Sequence, residues 1–156
     1  MNIYPKVVLL GLENMNIISM KITDTNVLEL FSEHDDYMIE FLGDDKWCYT
    51  RYSENENIEN VWVVYYDSLP IGCIAYRKKA DGIGEIKRMF IRSEYRGKGI
   101  AKELLKTVEC HAKKQGCHTL FLDTRITLEP AVSIYGSFGF NIIFQQGLYI
   151  QMEKKI

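Results

Sequence analysis

Arg96-Gly97-Lys98-Gly99-Ile100-Ala101 is the stretch of this 156-residue chain whose residue types and spacing could do chemistry. Glycines at 97 and 99 carry no β-carbon, so the backbone there can approach an anion's oxygens closely. A long amphipathic pattern begins at Gly99. The first-turn N–H groups of such a helix would point at the same spot, with about half a positive charge from the helix dipole. Arg96, Lys98 and Lys102 add side-chain cations, which suits an anion such as a diphosphate. The two commoner glycine motifs do not fit. A nucleoside-triphosphate loop needs two glycines framing four residues and followed by Lys and Ser or Thr, and a dinucleotide fingerprint needs a third glycine at position 102, which is Lys.

What remains is Arg/Gln-x-x-Gly-x-Gly/Ala preceded by an extended run, Gly84-Glu85-Ile86-Lys87-Arg88-Met89-Phe90-Ile91. Two further motifs follow in order: the strand-like Thr119 to Thr124, then Ala131-x-x-x-Tyr135-x-x-x-Gly139-Phe140. Together the three resemble the GNAT superfamily of N-acetyltransferases, over about residues 60 to 153. The resemblance implies an α+β fold, with a single mixed, mostly antiparallel sheet of six to seven strands flanked by helices. It implies acetyl-coenzyme A (acetyl-CoA) as cosubstrate, no metal, and direct attack by a primary amine in a ternary complex. Arg96, Gly97, Lys98, Gly99, Ile100 and Ala101 would grip the coenzyme pyrophosphate. The backbone of Met89, Phe90 and Ile91 would bind the pantetheine amides, with one N–H on the thioester oxygen as charge develops there. Many relatives carry an Asn three residues before the motif's alanine, where this chain has Leu128.

Acyl transfer to an amine poses two proton problems. An alkylamine with a pKa near about 10.4 is only about one part in 10³ neutral at pH 7, a deficit of roughly 4 to 5 kcal/mol; a thiol near about 8.5 is roughly 2 kcal/mol away. Deprotonating the amine is the larger task. By resemblance Glu85 is the base, acting directly or through a water, and Tyr135 the acid that protonates the leaving thiolate. The residues alone also allow Glu85 as a structural acceptor or exposed strand end, and Tyr135 as a core aromatic beside Ile134 and Phe138. Two non-enzymatic readings stand beside the acetyltransferase: a regulatory module that binds acyl-CoA without turnover, and an interaction protein that keeps only the fold.

These groups must be held by a folded scaffold, and 156 residues with 47% hydrophobic content suffice for one well-cored domain. The expected division is an N-terminal extension over 1–14 and a single domain over 15–156. A net charge of −2 gives no general attraction to nucleic acid. The charge is uneven, however. Residues 24–45 hold eight acids and no Lys or Arg, whereas 87–102 hold Lys87, Arg88, Arg92, Arg96, Lys98 and Lys102 against Glu94 alone. The basic end suits the coenzyme; the acidic end is either a solvated helix pair or the site of a cationic acceptor, a small molecule or peptide amine. No apolar run is long enough to span a bilayer, and Val7 to Leu10 is too short for a signal-peptide core, so a cytoplasmic protein with no membrane partner is expected. Cys48, Cys73, Cys110 and Cys117 match no zinc spacing and read as buried thiols. A homodimer is left open.

The elements follow from periodicity. A strand is expected over Ile17 to Thr23, then two short helices, Thr25 to Phe31 and Asp36 to Leu42, closed by Gly43. Val61 to Tyr66 and Ile71 to Arg77 read as a hairpin around Asp67-Ser68-Leu69-Pro70, and Ala80-Asp81-Gly82 turns into the Glu85 strand. The helix after Gly99 places Ile100, Ala101, Leu104, Leu105, Val108 and Ala112 on one face and stops at Gly116. A strand over His118 to Thr124, a helix over Glu129 to Phe138 with Pro130 in its first turn, and two strands around Gln145-Gln146-Gly147 complete the chain.

Overall fold

The computed structural model describes residues 13–44 and 55–156. The expected extension falls almost wholly outside the described residues, as does Cys48. In chain order the elements are β1 (Met15–Met20), α1 (Thr25–Leu42), β2 (Asn60–Tyr66), β3 (Leu69–Ala80) and β4 (Ile83–Ile91), then α2 (Ile100–Lys114), β5 (Thr119–Arg125), α3 (Glu129–Phe138), β6 (Asn141–Gln146) and β7 (Tyr149–Lys155). The strands form one seven-stranded sheet in the order β1-β2-β3-β4-β5-β7-β6. Every neighbouring pair is antiparallel except β4 and β5, joined in parallel by the crossover through α2. The mixed sheet has the expected character.

Both faces of the sheet are covered. On one side Val27, Leu30 and Phe31 of α1 pack on Val61, Val63, Cys73, Ala75 and Phe90. On the other, Ile100, Leu104, Leu105, Val108 and Ala112 of α2 are no more than 1% exposed and pack on Trp62, Ile74, Tyr76 and Leu120. Each fully buried Leu or Ile is worth about 1.5–3 kcal/mol, so this helix is anchored by its apolar face. The Glu109–Lys113 pair lies outside at 2.8 Å, and Glu109 also meets Lys154 of β7.

The N-terminal half departs from expectation. One continuous helix, capped by Asp24 through Asn26 N at 2.9 Å, replaces the two short ones. The segment joining them, Ser32 to Asp35, contains no Gly or Pro, and its polar residues are held from across the fold. Arg88 Nη1 contacts Asp35 Oδ1 at 2.5 Å with the arginine side chain fully buried, and Arg92 reaches Glu33 at 2.6 Å and Glu29 at 3.1 Å. Polar residues that interrupt the apolar pattern in sequence are therefore the residues that bind α1 to β4. The hairpin turn is also tighter than expected, since β3 begins at Leu69 and already includes Pro70.

Replacing Asp35 by Ala should cost about 3 kcal/mol or more, because it removes the carboxylate that neutralises a buried guanidinium. Urea unfolding of Asp35→Ala beside the double variant Asp35→Leu/Arg88→Met measures this. The double variant should be the more stable of the two.

Candidate active site

Parallel pairing between β4 and β5 lasts for only three residues: Ile83 with Thr119, Gly84 with Leu120, and Glu85 with Phe121. Beyond Glu85 the strands part, and the β5-facing backbone groups of residues 86–91 have no strand to bond. β4 is also bulged where it parts. Cys73 faces Phe90 and Ala75 faces Lys87, so two steps along β3 span three along β4. Arg88 absorbs the extra residue with φ +55°. Such a bulge breaks the ladder locally and re-aims the backbone. The parted strands open a cleft of about 1070 Å³.

One wall is the glycine turn. Gly97 and Gly99 both take left-handed conformations, φ +73° and +82°, and α2 begins immediately after. Arg96 is fixed beside them, its Nε donating to the Ile91 carbonyl at 2.8 Å and its guanidinium lying 4.8 Å from the Tyr37 ring centre. Of the residues expected to hold the coenzyme, Met89, Phe90, Ile91, Arg96, Gly97, Gly99, Ile100 and Ala101 all line the cleft, together with Lys102. Lys98 does not; its ammonium sits 6.0 Å from the Tyr95 ring centre. Leu128 lines the cleft as an apolar contact where relatives carry Asn.

Tyr135 lines the cleft from α3, almost fully buried, its ring edge-on to Phe140 at 5.9 Å. Burial, and after it the negative charge of Asp123, push its hydroxyl above the ordinary tyrosine range, so it stays protonated. Glu85 is placed differently. It sits at the last paired position of β4, outside the cleft lining, and its carboxylate accepts from Arg77 Nε at 2.6 Å with 5% of the side chain exposed. This contact ties β3 to β4.

The sequence reading missed Asp123, Lys87, Tyr149 and His34, all in the lining. The signal was present for Asp123: β5 changes from Leu120-Phe121-Leu122 to Asp123-Thr124-Arg125 where it leaves the core. The cysteine reading needs one correction. Cys73 and Cys117 are buried, but Cys110 is exposed, because it falls on the outer face of α2. Burial pushes the Cys73 thiol up to about 12, so it is no nucleophile. Among the described residues no cluster of three His, Cys, Asp or Glu could hold a metal, and no helix is long and apolar enough to cross a membrane.

Residues 25–140 match the acetyltransferase (GNAT) family model, a span that includes the glycine turn, β4, β5 and Tyr135. The chain belongs to the GNAT family. This GNAT protein is 34% identical over 101 residues to a Xenopus tropicalis protein named "Probable N-acetyltransferase 14", matching 64% of this chain and 48% of that one. It spans about half the length, or less, of the first curated relatives it matches. Among solved structures, a Klebsiella pneumoniae protein assigned as an acyl-CoA N-acyltransferase superposes with a TM-score of 0.74 and 25% identity, covering 90% of this chain and 97% of that one. The PaiA N-acetyltransferase of Thermoplasma acidophilum, crystallised with coenzyme A, has a TM-score of 0.69 at 24% identity, over 91% and 99% of the two chains, and shares the fold.

His34 gives this GNAT cleft a pH dependence. Burial, then the Arg88 charge, lower its pKa from 6.5 to about 3, against an opposing pull from Asp35. The folded protein therefore binds fewer protons than the unfolded chain between those values. Stability from this group is full above about pH 6.5 and is lost as pH falls toward 3, at up to about 1.4 kcal/mol per unit. Denaturant melts at pH 7 and pH 4.5 should show a smaller acid loss in His34→Gln than in the wild type.

Proposed function

We propose that this protein is an acetyl-CoA-dependent N-acetyltransferase that transfers the acetyl group to a primary amine by direct attack in a ternary complex. The observation that carries this reading is the convergence of three features on one cleft. The glycine turn offers free amides and cations, the parted bulge of β4 offers unpaired backbone, and Tyr135 offers a protonated hydroxyl. Coenzyme-bound relatives of the same fold support it.

Diphosphate would sit against the amides from Gly97 to Ala101, with Arg96 and Lys102 balancing its charge. The pantetheine arm would run along β4 in place of the missing strand, its amides pairing with the backbone of Met89 to Ile91. An N–H at the bulge would then face the thioester oxygen, and removing one such donor in related acyl-transfer chemistry costs about 10²–10³ in rate. Tyr135 would give its proton to the departing sulfur. The proton acceptor read from the sequence, Glu85, lies outside this lining and would take the amine's proton only through a bridging water.

A cationic acceptor, small molecule or peptide amine, remains the substrate class that the reading favours. Of the acids of α1, Glu29, Glu33 and Asp35 bind the helix to β4 through Arg92 and Arg88. Unbridged Cys73, Cys110 and Cys117 fit a reducing compartment, in support of a cytoplasmic location. A homodimer would bury most apolar surface along the edge strand β6, where Ile142, Ile143 and Phe144 are exposed.

Calorimetric titration with acetyl-CoA tests the reading without a known acceptor. Micromolar binding, about −8 kcal/mol, is expected for the wild type and should be lost in Gly99→Glu, which puts a negative side chain on the diphosphate wall. Unchanged affinity in that variant would overturn the site. With an acceptor in hand, Tyr135→Phe should lower kcat about tens-fold while the coenzyme affinity holds, consistent with the roughly 2 kcal/mol needed to protonate the thiolate.

A further inference from the structure

We propose that Asp123 is the carboxylate that receives the acceptor's ammonium group and takes its proton during transfer. This assignment rests on the acetyltransferase reading and places its proton acceptor in the cleft lining. Asp123 is the only carboxylate among the described residues lining the cleft. It lies on β5 two residues beyond Phe121, where pairing with β4 has ended. Alternation along β5 places it on the face of Phe121, opposite Leu120 and Leu122, which pack in the core under α2. Asp123 therefore opens toward the α1 side of the sheet, while Tyr135 approaches from the α3 side. The two flank the gap through which an amine and a thioester would meet.

Its surroundings leave the carboxylate oriented and reachable. Its side chain is 32% exposed, Lys87 Nζ lies 3.6 Å from Oδ1, and the Tyr149 hydroxyl donates to Oδ2 at 3.2 Å. Gln151 Nε2 donates in turn to the Tyr149 oxygen at 3.0 Å and fixes its orientation. Arg125, on the same strand, also lines the cleft, and Tyr135 feels the Asp123 charge from α3. The Lys87 contact leaves Asp123 able to take a proton from the nitrogen during attack, because an amine nitrogen that is giving its lone pair to carbon is far more acidic than a free ammonium.

The steps balance. The ammonium held by Asp123 first loses a proton to water. The neutral nitrogen then bonds to the thioester carbon, one N–H proton passes to Asp123, and the carbon–sulfur bond breaks. Sulfur takes the Tyr135 hydroxyl proton. Protonated Asp123 finally returns its proton to the Tyr135 oxygen through the gap, leaving the amide, the free thiol and the starting enzyme.

The test compares wild type, Asp123→Asn and Glu85→Gln for acetyl-CoA affinity by calorimetry and for thiol release with spermidine, lysine and a lysine-containing tetrapeptide, from pH 6 to pH 10. Asp123→Asn should bind acetyl-CoA within twofold of wild type and lose about 100-fold in kcat/KM at pH 7. The deficit should narrow toward pH 10 as hydroxide takes the proton that Asp123 otherwise accepts from the attacking nitrogen, and it should exceed the deficit of Glu85→Gln. A loss under threefold, a deficit independent of pH, or a greater loss in Glu85→Gln would overturn the Asp123 assignment and leave the enzyme reading standing. A wild type that binds no acetyl-CoA, or acetylates none of the three amines, would overturn both.

Discussion

The parting of β4 from β5 depends on a single strained residue and the charges that hold it. A non-glycine residue at φ +55° costs on the order of 1–3 kcal/mol and persists only when its neighbours over-determine it. Arg88 has such neighbours. Its guanidinium meets Asp35 at 2.5 Å, His34 Nδ1 at 3.2 Å and Asn55 Oδ1 at 2.9 Å, and lies 4.9 Å from the Phe31 ring centre. Its carbonyl accepts from the Cys73 thiol at 3.3 Å. Helix α1 thus clamps the bulge from one face of the sheet. The bulge in turn decides where the β4 backbone is free to serve a ligand, and hence where a cleft can exist at all.

The same clamp explains how charge is divided. Six cations and one acid crowd residues 87–102, a distribution that reads in sequence as one basic patch. In the fold they separate by task. Arg88 and Arg92 turn toward α1 and are neutralised by its acids; Arg96 and Lys102 face the cleft; Lys87 crosses to Asp123. The acidic helix and the basic strand are two halves of one structural contact rather than opposite ends of a binding gradient. What remains at the glycine turn is a smaller and better placed positive charge.

How much of this was legible in the sequence depends on the range of the interaction. Tyr135 was placed by resemblance, and it lines the cleft; the glycine turn, the apolar face of α2 and Pro130 at the start of α3 follow from local spacing and stand where the residues pointed. The single helix α1 did not, because the residues that interrupt its apolar pattern are satisfied by Arg88 and Arg92, more than fifty positions away. Glu85 was read as the base by resemblance; its partner, Arg77, is identified only by the β3–β4 register. For Asp123 the local signal was only half of what was needed: the polar turn of β5 after Leu122 is in the sequence, but the departure of β4 after Phe121, which makes a strand carboxylate a cleft carboxylate, is set by the pairing of distant strands.

The most direct measurement follows the backbone amide of Met89, beside the bulge, by two-dimensional NMR during titration with acetyl-CoA and, separately, with coenzyme A. If the bulge presents an N–H to the thioester oxygen, both ligands should shift the Gly97 to Ala101 amides alike, and only acetyl-CoA should add a large downfield shift at Met89 or its neighbours Arg88 and Phe90. Identical spectra for the two ligands across residues 88–90 would contradict the account, since the parted, bulged strand would then have no part in recognising the acetyl group.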